Sequence, residues 1–353
     1  MDFSIFKNKK VLVTGHTGFK GSWLSIWLNH CGAQVIGYAL DPQHESDNYV
    51  LAGLKDKIKD YRGDIRNTAL LSKVFNEEQP EIIFHLAAQP LVIDSYENPS
   101  DTFEINVQGT VNVLEQFRLS SSAHTLIVIT TDKVYENKNS GQAYKEEDRL
   151  GGADPYSASK AAAEIVTSAY QQSFFSGKQN NKHVYTVRAG NVVGGGDWSA
   201  NRIVPDCIRA VENKEAIIIR NPKSVRPWQF VLEPVCGYMR LAEVVERGQA
   251  PDDTAFNFGP SLENCVPVLD IVEKIIKYYG NGSYEIKNNN AAPKESALLH
   301  LDASRAINEL GWKPVLSLDE TIEITTSWYK HYREGNVYDM CLKQIDWYLS
   351  IWK

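Results

Sequence analysis

The chain has no pair of cysteines at metal-ligand spacing, no two histidines one helical turn apart, and no surplus of positive charge. Each shortfall removes a class of function. Five scattered cysteines and eight scattered histidines offer neither a zinc site nor a disulfide framework, so no metal is expected. Unpaired cysteines of this kind point to a reducing, cytoplasmic setting. Lys and Arg number 37 against 44 Asp and Glu, a net charge of −7, so nucleic acid is not an expected partner. No apolar run approaches the ~18 residues of a membrane span, so a membrane is not expected either. "MDFSIFKNKKVLVTG" runs straight into a strand pattern, without a leader-like segment. The rest is ordinary for a globular protein. Hydrophobic residues make up 43% and charged residues 23% of 353 positions. That is ample for a core and for about two domains at the usual ~150 residues each.

Through residue 190 strand-like and helix-like stretches alternate. Strands are expected at 10–15, 34–41, 81–88, 124–131 and 183–190. Helices are expected at 20–32, 66–79, 102–119 and 154–174. That rhythm means βαβ crossovers and an α/β fold, a Rossmann-type doubly wound parallel sheet. After 190 it breaks into Gly-rich and polar stretches. A helix at 234–248 and a strand at 254–260 follow, then two helical patterns joined by "WKP". The expectation is a dinucleotide-binding domain of 1–190 with 235–258 returning to the sheet. A smaller, discontinuous α/β domain would then comprise 191–234 and 259–353.

"TGHTGFKGSW" follows the first strand and opens the first helix, with Gly15, Gly18 and Gly21 three apart. Such glycines allow a tight turn, let backbone approach a pyrophosphate and let helix pack on strand, with the phosphates at the helix N-terminus. The next strand ends on Asp41, a carboxylate suited to a ribose 2′-OH and hostile to a 2′-phosphate. With no Lys or Arg between 22 and 54, NAD is expected over NADP. "RGDIRN" and "LAAQP" follow later strands at the same sheet edge. Asp64 and Ile65 are read there beside the adenine, and Ala87, Ala88 and Gln89 beside the dinucleotide; Asp64 is equally placed to cap the next helix. Thr17, Phe19 and Lys20 complete the cofactor loop. Asn106, a poor mid-helix residue, is read as anchoring a local break near Lys160.

"YSASK" puts Tyr156 and Lys160 one turn apart on one helix face. A phenol titrates near ~10, so its use as a base near neutrality needs help. A neighbouring lysine and an oxidised nicotinamide are expected to favour the phenolate, and Tyr156 and Lys160 thus also count as cofactor contacts. Thr131 is the expected third member, bridging substrate and Tyr156. For the second domain, Arg202, Arg220 and Arg226 suit the oxygens of a diphosphate, and Trp198 and Trp228 offer faces for a base or sugar.

These motifs resemble the extended short-chain dehydrogenase/reductase family over essentially the whole chain. "TTDKVY", "RAGNVVGGGDW", "NRIVPD" and "RPWQFV" resemble in particular its CDP-glucose 4,6-dehydratases. The resemblance implies a hydro-lyase that uses NAD, a sugar-nucleotide-binding second domain, a homodimer formed through a helix bundle, and a place in deoxysugar (lipopolysaccharide O-antigen) biosynthesis. It implies that Tyr156 takes the 4-OH proton of CDP-glucose as hydride leaves C4. Water is then lost across C5–C6, and hydride returns to C6 to give the 4-keto-6-deoxy sugar. Asn191, Arg202, Arg226 and Gln229 would contact the sugar nucleotide. Asp132 is the candidate acid for the departing 6-OH. Lys133 stands where related dTDP-glucose enzymes carry a glutamate base. It is read either as the C5 base or as a cation that positions Asp132 or the sugar. Consecutive strand residues face opposite ways, so Asp132 and Lys133 share a site only if the chain has left the strand. Two rival readings remain. One is a sugar-nucleotide 4-epimerase or a dehydratase of another nucleotide sugar; the other is a non-catalytic NAD-sensing regulator.

Overall fold

Strand β1 (Lys10–Thr14) is buried along four of its five residues, as a central strand covered on both faces must be. The computed structural model containing it describes residues 2–138, 141–176, 181–287 and 299–352. After β1 the chain runs α1 (Phe19–His30), β2 (Gln34–Ala39), α2 (Asn48–Leu51), β3 (Lys59–Arg62), α3 (Thr68–Glu78) and β4 (Ile82–His85). Then come α4 (Val92–Glu97), α5 (Pro99–Phe103), a π-helical turn (Glu104–Gln108), α6 (Gly109–Leu119) and β5 (Thr125–Ile129). A 3-10 turn (Asp132–Val134), α7 (Pro155–Tyr170) and β6 (His183–Ala189) follow. The remainder carries β7 (Asn191–Val193), α8 (Ile203–Glu212), β8 (Ile217–Ile219), β9 (Val225–Phe230), α9 (Leu232–Glu246) and β10 (Ala255–Phe258). It ends with β11 (Cys265–Pro267), α10 (Val268–Tyr279), β12 (Tyr284–Ile286), α11 (Ser304–Leu310), α12 (Leu318–His331) and α13 (Val337–Ile351).

Seven strands pair in the order β3-β2-β1-β4-β5-β6-β10, every pair parallel. This is the expected doubly wound sheet. Its order reverses between β1 and β4, so the crevice beyond their carboxyl ends is the ligand site of such a sheet. Strand β10 pairs with β6 and α9 is buried along most of its length, so residues 232–258 extend the sheet after the second region has begun. Two small sheets lie outside it, β11-β9-β7 and β12-β8.

Several features depart from the sequence reading. Strand β3, Lys-Asp-Tyr-Arg, has no apolar run to announce it, because it lies at the sheet edge and is only part-buried. Helices α10 and α13 were not anticipated, although α10 buries Ile271, Val272 and Ile275 at helical spacing. The stretch 102–119 contains the π turn at 104–108, where a local break at Asn106 is expected, and 154–174 passes into another at 171–175.

Candidate active site

The glycine loop fits against the sheet without room for side chains. Gly15 has φ +76°, and a Cβ there would lie 2.7 Å from the Ala87 nitrogen; a Cβ on Gly21 would lie 2.1 Å from the Gly15 carbonyl oxygen. Both positions require glycine. Gly18 caps α1 with no side chain to satisfy the first amides, which leaves them for an anion. Thr17 Oγ1 donates to the Leu40 carbonyl at 3.0 Å, binding the loop to the end of β2. Asp41, just past β2, is largely exposed. Asp64 does not cap α3; Asn67 does. The Asp64 carboxylate instead accepts from the Arg66 amide and guanidinium at 2.6–2.9 Å. Ile65 is buried against Gly109.

Asn106 lies inside the π turn with its side chain fully used. Its Oδ1 accepts from Gln89 N at 2.8 Å, and its Nδ2 donates to Gln89 O at 3.1 Å and Ser159 Oγ at 2.8 Å. The anchoring role read from sequence thus falls on the Ala87–Gln89 backbone and on α7. Any influence of Asn106 on a dinucleotide passes through them.

The strand β5 stops at Ile129, and Thr131 becomes the N-cap of the Asp132–Val134 turn. The backbone has therefore left the strand, which is the condition for Asp132 and Lys133 to serve one site. Thr131 Oγ1 donates to Asp132 Oδ1 at 2.9 Å. Burial pushes Asp132 above the ordinary carboxylate range, against the pull of Lys133, Thr131, Arg226 and Lys20. Lys133 Nζ lies 6.0 Å from the Tyr156 ring centroid.

Helix α7 presents Tyr156 and Lys160. Its start is fixed by Pro155 and by Asp154, which accepts from Ser157 N at 2.9 Å and Ser157 Oγ at 2.6 Å. Lys160 Nζ donates to the Ile129 carbonyl at 3.1 Å, and burial takes it down to about 7, with Lys20 adding to the effect. Tyr156 is pushed up to about 12 by burial, with Asp132 adding to it and Thr131 opposing it. The sequence reading expected help toward the phenolate. In the chain by itself burial outweighs that help and favours the neutral phenol.

One turn on, Glu164 is fully buried against Arg188, Nη2 to Oε2 at 2.8 Å, with Thr130 and Thr186 also donating to it. Burial acts to raise this carboxyl, yet Arg188 and the two hydroxyls hold it below its usual range.

Gly190, just past β6, lies between Asp132 and Pro227: a Cβ on it would be 3.1 Å from Asp132 Oδ2 and 3.3 Å from Pro227. Arg226 and Lys20 act on Asp132, and Arg202 on Tyr156 and Lys20. Arg202 is also bound to Asp197 at 2.8 Å. Lys20, taken down to about 8 by desolvation, is thus near the acid–base groups as well as at the cofactor loop, a placement that the glycine motif alone does not signal. Gln229 is buried; its Nε2 donates to Phe258 O at 3.1 Å and its Oε1 has no protein partner.

One reading is corrected. Trp198 packs edge-on against Tyr329 and Tyr332, and Trp228 is buried with its indole donating to Val266 O, so neither ring face is open to a base. Arg220 is exposed beyond β8, where its charge acts on Asp206. Among the described residues no cluster of His, Cys, Asp and Glu is arranged to hold a metal ion, and no helix is long and apolar enough to cross a membrane.

Comparison with known proteins follows the same lines. Residues 12–325 match the model of the GDP-mannose 4,6-dehydratase family. The chain is 42% identical to the CDP-glucose 4,6-dehydratase of Salmonella typhimurium, covering 99% of each protein. It is 28% identical to the dTDP-D-glucose 4,6-dehydratase of Dictyostelium discoideum, over 92% of this chain and 82% of that one. Its fold matches dTDP-glucose 4,6-dehydratase from Bacillus anthracis in complex with NAD, with TM-score 0.75, 22% identity, and coverage of 94% and 99%.

Proposed function

The chain belongs to the GDP-mannose 4,6-dehydratase family of extended short-chain dehydrogenases/reductases, and from that premise we propose that it converts CDP-glucose to CDP-4-keto-6-deoxyglucose and water. The observation that carries the reading is the buried Asp132 in a turn shared with Lys133, beside Thr131 and opposite Tyr156. A simple dehydrogenase or 4-epimerase has no use for that additional acid–base pair. The identity of 42% to a CDP-glucose 4,6-dehydratase over nearly the full length supports the base and the sugar.

The cradle fits NAD. Gly15 and Gly21 leave no space for side chains, the α1 amides are uncapped, and Asp41 is exposed at the ribose end. Held by these residues, NAD would supply the hydride acceptor for C4 and, once reduced, the hydride donor for C6. The chain's own residues move the protons. Tyr156 Oη takes the 4-OH proton, and the C4 ketone that forms acidifies the C5 proton. Lys133 Nζ, as the neutral amine, takes that proton, and Asp132, whose carboxyl burial pushes upward, gives one to the leaving 6-OH. Lys160 secures the turn through the Ile129 carbonyl and adds positive charge beside Tyr156 when protonated. Arg202 and Arg226 suit the diphosphate, and Asn191 the sugar nucleotide.

The dinucleotide half of the chain in this reading is 1–190 with 235–258, and the sugar-nucleotide half 191–234 with 259–353. A homodimer through the α4–α7 face accords with the exposed Ile93, Tyr96, Phe103 and Ile165 there. A cytoplasmic role in deoxysugar supply for surface polysaccharide completes the proposal. It is tested by product analysis with CDP-, TDP-, UDP- and GDP-glucose in parallel. Turnover of CDP-glucose to a 4-keto-6-deoxy product supports it, whereas turnover of another nucleotide sugar alone removes the cytidine.

A further inference from the structure

The ribose end of the cofactor crevice contains a cation that lies outside the glycine motif and outside the β2–α2 loop. Strand β3 runs parallel to β2 in a register that sets Arg62 opposite Ala39, two residues before Asp41. Its guanidinium is fixed from three sides. Nη1 donates to the Leu40 carbonyl at 3.0 Å, Nη2 donates to Asp60 Oδ2 at 2.9 Å and to the Tyr49 hydroxyl at 2.5 Å, and the plane lies 4.7 Å over the Tyr49 ring. Nε makes no hydrogen bond and faces Asp41 Oδ1 at 3.8 Å.

Asp60 is held from its other side by His16, a residue of the glycine loop, at 2.7 Å. One chain of contacts therefore runs from the pyrophosphate loop to Arg62, which makes the guanidinium a rigid part of the crevice. The other nearby cation, Arg66, is taken up by Asp64, Asp101 and Glu104. Two carboxylates, Asp60 and Asp41, thus stand against one guanidinium. Asp41 is the exposed one of the two, and its charge opposes a 2′-phosphate.

We propose that Arg62 is a latent 2′-phosphate ligand of this dinucleotide site, and that Asp41 selects NAD by engaging its Nε and by its own charge. The inference rests on NAD binding in the crevice, as proposed above. Removing the Asp41 charge leaves a fixed, half-exposed fork whose geometry suits phosphate oxygens.

The test is competition between NAD⁺ and NADP⁺ for the full-length protein, with the retained dinucleotide identified by mass spectrometry. Asp41 is exposed, so Asp41→Ser leaves the fold intact. That variant gains NADP⁺ affinity by about 10- to 100-fold, the value of a charge-assisted hydrogen bond. Adding Arg62→Met to it abolishes the gain, with thermal melting reporting that the fold survives. If Asp41→Ser gains nothing, or the double variant keeps the gain, Arg62 is not the ligand. Failure of the wild-type chain to retain NAD⁺ would instead remove the reading beneath the inference.

Discussion

Thr131 donates its hydroxyl proton to Asp132 at 2.9 Å, so the residue expected to bridge substrate and Tyr156 also rests on the proposed acid. The bond stabilises the carboxylate form, while burial opposes it and pushes the carboxyl upward, the direction a proton donor needs. In Asp132→Asn the first hydride transfer survives and elimination fails. Reduced cofactor should build up on the enzyme in a single turnover, with product formation slowed by about 10²- to 10⁴-fold. Cofactor fluorescence reads this directly, and loss of the fluorescence rise itself would place Asp132 in the oxidation step.

Lys133 is tested by the C5 hydrogen. In deuterated water the parent protein should take up deuterium at C5 through the ketone intermediate. Lys133→Met should oxidise C4 but exchange C5 slower by about 10²-fold or more, the usual range for a missing general base. Exchange at the normal rate with poor product release would make Lys133 a positioning cation.

Lys160 carries a stability cost. Its folded value of about 7 lies below the ~10.4 of an unfolded lysine, so below pH 7 the fold confines a charge that the unfolded chain hydrates freely. Between these values the unfolded state binds more protons, and stability rises with pH. Cofactor-free Lys160→Met should therefore be inactive yet melt higher than the parent, by the largest margin below about pH 7. Melting curves across that range check the sign.

The Glu164–Arg188 pair behaves oppositely. Both side chains are 4% exposed or less, and the carboxyl is held below its usual range. Its contribution is complete above the unfolded value near ~4.3 and disappears as pH falls through the folded one. Glu164→Gln leaves Arg188 buried without its countercharge and should cost about 3 kcal/mol or more. Denaturant titration should show that loss at neutral pH and a flatter acid limb.

The alternation of strand and helix through residue 190, the glycine loop and the Tyr156/Lys160 helix were legible because each writes its constraint into neighbouring residues. What was missed depends on contacts distant in sequence. Strand β3 hides behind Lys59 and Asp60, since an edge strand needs no apolar run. Arg62 escaped a search for cations confined to 22–54, because the parallel register, not sequence proximity, brings β3 beside β2. Trp198 and Trp228 looked like open faces, yet the partners that cover them, Tyr329, Tyr332 and Val266, lie far along the chain. Tyr156 was read from its neighbours on the helix, while its protonation is set by burial that no local string records.

The central claim is that one hydride leaves C4 and returns to C6 of the same sugar while water is lost between. CDP-glucose carrying deuterium at C4, incubated with the pure protein and NAD⁺, tests it most directly. The account predicts deuterium at C6 of a 4-keto-6-deoxy product, with no net NADH. Deuterium remaining at C4 of a sugar that keeps its 6-OH would mark an epimerase and contradict it.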